Sequence, residues 1–203
     1  MFETHNPRIR AFAQTSAEAL AHVGLFVLAT IQNPIERAAE DAARIARGEA
    51  EPRTLSRSFF GFKLRAAYAL MREREALFDD AMTIGASDPL ALTLRFSRLE
   101  GFALVKAGFF AQLAFGVSGC LDSHNLARFG LDVRAFRIRP PSEKTGARAE
   151  RTRAKRCAKY LSTIERCGGT AALWDSWCEY VASLRGDSAE NVSALHVEAM
   201  GIE

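Results

Sequence analysis

Residues 99–130, LEGFALVKAGFFAQLAFGVSGCLDSHNLARFG, gather most of the side chains in this sequence that could do chemistry. Gly101-Phe102-Ala103 reads as a tight turn that opens an apolar helix from about Leu104 to Phe115. Gly116 and Gly119 then make a glycine-rich loop, and Asp122 stands immediately before Ser123-His124-Asn125, where a helix N-cap belongs. The Asp122 carboxylate is the leading catalytic candidate, as an acid–base group or as a stabiliser of developing positive charge. Lys106 and His124 lie close to it along the chain. Gln112 is an amide inside an apolar helix, a position that favours a buried hydrogen-bonding role.

Metal chemistry has little support. Cys120, Cys157, Cys167 and Cys178 are separated by 37, 10 and 11 positions, which fits no common zinc spacing. They read as reduced, mostly buried thiols, and no motif calls for a cofactor. The charge is more informative. The whole chain carries only +3, yet residues 132–159 hold ten basic and three acidic side chains. A local excess of that size in a near-neutral protein points to an anionic partner. The competing reading is a solvated arginine-rich helix face.

The elements that must position these groups are helical. A Thr15-x-x-Glu18 capping box precedes a helix over 16–30. Asn33-Pro34 starts a second, alanine-rich helix that Gly48 closes. Pro52 lies in a linker, and a long pattern over 54–84 carries Phe59, Phe62, Leu70, Leu77 and Met82, with Gly61 as a break or bend. Asp88-Pro89 starts the arm that leads into Gly101. Pro140-Pro141 precedes an arginine-rich helix over 147–166, which Gly168-Gly169 ends. Trp174, Trp177, Cys178, Val181 and Leu184 share one face of the next helix, a spacing that favours core over base stacking for the two tryptophans, and Asp187-Ser188 caps a last one. Residues 133–138 are the single strand candidate. The Phe side chains at 59, 60, 62, 109, 110 and 115 favour packing. The longest apolar run, VGLFVLATI, is far short of the ~20 residues of a membrane span. The start, Met1-Phe2-Glu3-Thr4-His5, lacks a secretory pattern, so the expected location is cytoplasmic.

The order turn, Val-Lys-Ala helix, glycine loop, Leu-Asp-Ser-His resembles the helix-hairpin-helix DNA glycosylase superfamily, the relatives of endonuclease III, MutY and oxoguanine glycosylase. The resemblance covers about 30 of 203 residues. It implies an all-α, two-lobed domain over 1–203. One lobe would comprise about 1–86 with the C-terminal helices 142–203. The other, 87–135, would hold the hairpin and place Asp122 at the cleft. It also implies double-stranded DNA as partner and Asp122 as the catalytic acid on a flipped nucleotide. Phosphate would be gripped by backbone amides at Gly101 and Ala103. Asn125 and Arg128 would extend towards DNA, Arg148, Arg151 and Arg153 would add phosphate contacts, and Gln112 would be a base-edge reader if it is not the buried hydrogen-bonding residue that its helix favours.

Two residues depart from the family pattern. Ala103 stands where a second glycine is usual, which is strained if that position needs a positive φ. Aligning Ala107 with the family's alanine puts Val105 at the lysine nucleophile position and Lys106 one place later, about 100° around the helix. The four cysteines also miss the compact spacing of an iron–sulfur loop. GFALVKAGFF and GCLDSHN are more similar to a divergent branch tied to bacteriophage thymidine hypermodification. That resemblance implies a transferase joining an amino acid or amine to an activated 5-hydroxymethyluracil in DNA, with a free amine as co-substrate. Lys106, His124 or the arginine-rich segment would neutralise the leaving phosphate. A DNA N-glycosylase and a non-catalytic DNA-binding or phage structural protein are the alternatives.

Overall fold

A computed structural model describes residues 7–31, 33–49, 55, 59, 61–136 and 146–202. Those residues form α1 (Pro7–Ala13), α2 (Ala17–Ala29), α3 (Ile35–Ala46), α4 (Phe62–Ile84), α5 (Pro89–Phe96), α6 (Leu104–Phe115), α7 (Ser123–Arg128), α8 (Ala147–Arg166), α9 (Gly169–Arg185) and α10 (Ala189–Ala199). Among the described residues there is no strand, so the fold is all-α as expected. The readings at Pro52, Thr54, Phe60 and Pro140-Pro141 lie outside the described residues.

Helix starts follow the capping chemistry, with small shifts. Ser16, rather than Thr15, caps α2 by accepting from the Ala19 amide at 3.1 Å. Pro34 precedes α3 instead of sitting in its first turn. Asp88 accepts from the Ala91 amide at 2.9 Å and Pro89 begins α5. Ser188 caps α10. The expected extended piece is a 3-10 turn at Val133–Phe136. The Arg134 amide donates to the Asp132 carboxylate at 2.9 Å, a side-chain contact that curls the backbone away from a strand.

Helix α2 lies at the centre. Eleven of its thirteen residues are buried, so it must be surrounded, and α1, α3, α4 and α6 pack around it. Gly24 lets α4 and α6 approach, since a Cβ there would lie 2.8 Å from Leu70 and 3.0 Å from Phe110. Phe96 stacks on Phe110 at 4.3 Å between ring centroids and ties α5 to α6. A second, smaller core surrounds Tyr160 and joins Leu104, Leu121, Leu126, Phe136, Cys157, Ile164 and Leu173. The sequence groups α8 with residues 1–86. Its buried stripe of Cys157, Tyr160 and Ile164 instead packs in this second core, on the hairpin side. Three apolar residues expected inside lie outside: Phe62 at 49% exposure, Met82 at 43% and Leu184 at 68%.

Candidate functional site: a ring-sized pocket between α2, α6 and α9

The chain breaks at the expected turn, with the first arm ending at Phe96. Helices α5 and α6 are joined by residues 97–103, and Asp122 caps α7 by accepting from the Asn125 amide at 2.9 Å. Gly101 has φ +81°, and a Cβ there would meet Ala66 at 2.7 Å and Leu28 at 3.2 Å. The turn is thus pressed onto α4 and α2, and only glycine fits. Ala103 has φ −75° and ψ 175°, ordinary extended backbone. The concern about alanine in place of a second glycine therefore does not arise here.

The loop between α6 and α7 is clamped from below. The Tyr160 hydroxyl donates to the Gly119 carbonyl at 2.7 Å and accepts from the Leu121 amide at 3.1 Å. Gly108 makes room for this loop, because a Cβ would stand 2.3 Å from the Gly119 carbonyl oxygen. Asn125 is fully buried and donates to the Cys120 carbonyl at 2.8 Å. Ser118 holds a positive φ of 65°, rare for a residue other than glycine. Together these contacts fix the peptide that carries Cys120 and Asp122.

That peptide forms one wall of a pocket of about 110 Å3. The other walls come from Thr30, Asn33 and Ile35 at the α2–α3 turn, from Lys106, Phe109 and Gln112 on α6, and from Leu173, Trp174 and Trp177 on α9. The volume is of the order of the about 150 Å3 engineered cavity that takes one benzene ring. Its walls are aromatic and aliphatic, with a few convergent polar groups, the usual make-up of a small-ligand site.

The one-residue offset did not turn Lys106 away: it lines the same pocket as Asp122. Its ammonium donates to the Thr30 hydroxyl at 3.1 Å and lies 5.6 Å from the centre of the Phe109 ring. Burial holds the Lys106 pKa below the ordinary lysine value, against the opposing pull of Cys120 and the Asp122 carboxylate. One oxygen of Asp122 caps α7, and the residue also lines the pocket. Cys120 is no rival nucleophile. Burial first, then the charge of Asp122, pushes its thiol up to about 12.

The remaining predicted residues are placed elsewhere. His124 stacks on Tyr180, centroids 3.9 Å apart, and its Nε2 lies 3.4 Å from the Ser176 hydroxyl; it is not a pocket wall. Arg128 pairs with Glu179 at 3.3 Å on the surface. Arg148 and Arg151 are exposed on α8. Arg153 is only 5% exposed; it donates to the Ser97 carbonyl at 2.8 Å and lies 3.8 Å from Glu150. Its guanidinium holds α8 to the hairpin turn, so it is not available to phosphate in this conformation.

The sequence reading missed a second amine. Lys63, 3% exposed, donates to the Ile31 carbonyl, one residue after the Thr30 that receives Lys106. Burial lowers its pKa, and the Lys106 charge lowers it further while Asp41 opposes. Asp41 is fully buried and accepts from the Asn33 side-chain Nδ2 at 3.3 Å. The available signal was periodicity. Lys63 falls on the buried stripe of Ala66, Ala67 and Leu70, and Asp41 on that of Ala38, Ala42 and Ile45. Charged residues on such stripes are rarely buried without a partner. Trp174 and Trp177, read as core, are also pocket walls.

Among the described residues no group of three or more metal-binding side chains occurs, and no helix is long and apolar enough to cross a membrane. No family model matches the chain, no curated protein matches it, and no solved structure matches it.

Proposed function

We propose that this chain is a DNA base-modifying enzyme that takes a flipped pyrimidine into the pocket and joins an amino acid or amine to an activated 5-hydroxymethyl group. The observation that carries this reading is the pairing of Lys106 and Asp122 in one pocket of single-ring size with tryptophan and phenylalanine walls. Flipped bases are held by stacking and by a few hydrogen bonds in such sites. The resemblance of residues 99–130 to helix-hairpin-helix glycosylases supports the choice of DNA. In the transfer, the amine nitrogen attacks the exocyclic methylene carbon. The carbon–oxygen bond to phosphate or pyrophosphate breaks, and that group leaves with the electron pair. Asp122 takes the proton lost by the amine, and the Lys106 ammonium meets the charge on the leaving phosphate.

The test is incubation with duplex DNA carrying 5-phosphomethyluracil or its pyrophosphate, with and without amino acids or polyamines, followed by nucleoside mass spectrometry. The expected result is a new nucleoside whose mass includes the amine. Unchanged nucleosides would remove the proposal and favour a non-catalytic DNA-binding role.

One observation favours a second reading, a DNA N-glycosylase with lyase activity. Lys106 is an amine whose pKa is lowered by burial, the condition that activates a lysine nucleophile, and Asp122 in the same pocket is a base for its proton. Its amine would attack the sugar C1′, expel the base and leave a Schiff base. Release of free base and a borohydride-trapped protein–DNA adduct would identify that reaction.

A further inference from the structure

Gln112 is a buried amide on an apolar helix, 2% exposed and in the pocket wall. The hydrogen bond described for it uses only the nitrogen end. Its Nε2 donates to the Thr170 carbonyl at 3.2 Å, and because a carbonyl only accepts, that contact fixes which end of the amide is which. The Oε1 is buried and finds no donor among the described residues. Buried polar atoms in folded proteins nearly always have a partner, and an exception beside a pocket points to a ligand.

We infer that Gln112 accepts a hydrogen bond from the ring N–H of the bound base and so selects a uracil-type ring over a cytosine-type ring. The inference rests on the base-pocket reading above and deepens it. Uracil and thymine carry a hydrogen on N3 between two carbonyls. Cytosine carries a lone pair there, which would set one acceptor against another. The Lys106 amine has hydrogens beyond the one given to Thr30, and it supplies a donor for a flanking carbonyl. A pocket of about 110 Å3 suits a single six-membered ring. The amide is anchored through α9, the helix that also carries Trp174 and Trp177, so stacking and edge recognition share one support.

The test uses duplexes with one target nucleotide opposite an abasic site and 2-aminopurine as its neighbour. Fluorescence reports extrusion of the target, and gel shift on the same duplexes reports retention through the backbone. The targets are thymine, N3-methylthymine and cytosine. Thymine should be extruded at about tenfold lower protein concentration than either of the others, the penalty expected for an unpaired buried acceptor. Gln112→Met should erase that difference. The N3-methyl comparison is made on the unaltered protein, so it stands even if the variant does not fold. Equal extrusion of thymine and N3-methylthymine, or preference for cytosine, overturns the inference and leaves the pocket reading intact. Retention without extrusion of any target removes the flipped-base reading and this inference with it. No retention at all removes DNA as the partner.

Discussion

At the scale of single residues, Asp122 and Lys106 are separable by experiment because their structural duties differ. Asp122→Asn keeps an N-cap side chain for α7, so stability should change by less than about 0.5 kcal/mol. Turnover on a modified duplex should fall about 100-fold or more if the carboxylate acts as base. Thermal melting and product mass spectrometry on the same sample check both halves. For Lys106 the informative measurement is the alkaline limb of the pH profile. Its pKa is lowered from 10.5 by burial. If the ammonium meets a leaving phosphate, turnover declines as pH rises through that lowered value, and this is the expected outcome. A rate that instead climbs through the same point would mark the free amine as nucleophile and support the lyase reaction. Asp122 was legible in the sequence because a cap has a local signature. The direction of Lys106 was not, since it depends on how α6 is rotated against the α2–α3 turn and α9. Those are long-range contacts that no spacing within residues 99–130 encodes.

At the scale of elements, the loop from Gly116 to Asp122 is held by Tyr160 rather than by its own sequence. Tyr160→Phe removes one hydroxyl and leaves the Gly119 carbonyl and the Leu121 amide without their partner. A loss of about 1–3 kcal/mol is expected by urea unfolding, together with reduced turnover as Asp122 loses its fixed position. Gly108→Ala should be at least as severe. Its Cβ would stand 2.3 Å from a backbone oxygen, and neither α6 nor the clamped loop can give way alone. Unfolding curves indistinguishable from the parent for both variants would show that the loop is not anchored in this way. Most helix starts could be read in advance, because Asp88 and Ser188 solve a local problem, the unpaired amides of a first turn. The 3-10 turn at Val133–Phe136 could not, since the sequence there reads as a short extended piece while the Asp132 contact decides against it. Helix α8 was visible, but not its neighbour. The Cys157, Tyr160 and Ile164 stripe says that a face is buried and does not say against what.

At the scale of the whole molecule, the large core has an acid-sensitive centre. His196 is fully buried against Phe26, Trp174 and Trp177, and its Nδ1 faces the Val192 carbonyl at 2.9 Å. Burial lowers its pKa from 6.5 to about 4, and burial also lowers that of His22. The folded state therefore binds fewer protons than the unfolded one between those values. The stability from neutral His196 is complete above about pH 6.5 and is lost as pH falls towards 4, on the order of 3 kcal/mol for the full transition. Unfolding free energies at pH 7, 5.5 and 4 check the sign, and His196→Phe should flatten the curve. The core's position was readable from the tryptophan spacing, whereas a histidine inside the aromatic cluster is a fact of packing.

The surface charge belongs to the same scale and separates what the sequence treats alike. Arg148, Arg151 and Arg153 look equivalent in a run of basic residues, yet one turn of α8 divides them. Arg148 and Arg151 are exposed, and Arg153 is inside against Ser97 and Glu150. If DNA lies along α8, Arg148→Ala and Arg151→Ala should each reduce the slope of log affinity against log salt by about 0.9, with melting temperature nearly unchanged. Arg153→Ala should do the opposite. It removes a buried donor from the Ser97 carbonyl and a contact to Glu150, which itself pairs with Arg98 at 2.9 Å, so the joint between α8 and the hairpin turn weakens. A stability loss of about 1–3 kcal/mol is expected, with a salt slope like that of the parent under conditions where the variant remains folded. Fluorescence anisotropy of a labelled duplex between 50 and about 200 mM salt gives the slopes, the range over which phosphate contacts express themselves most clearly. An unchanged slope in both exposed variants would mean that α8 faces away from DNA, and the anionic partner would then have to be met by another face of the protein.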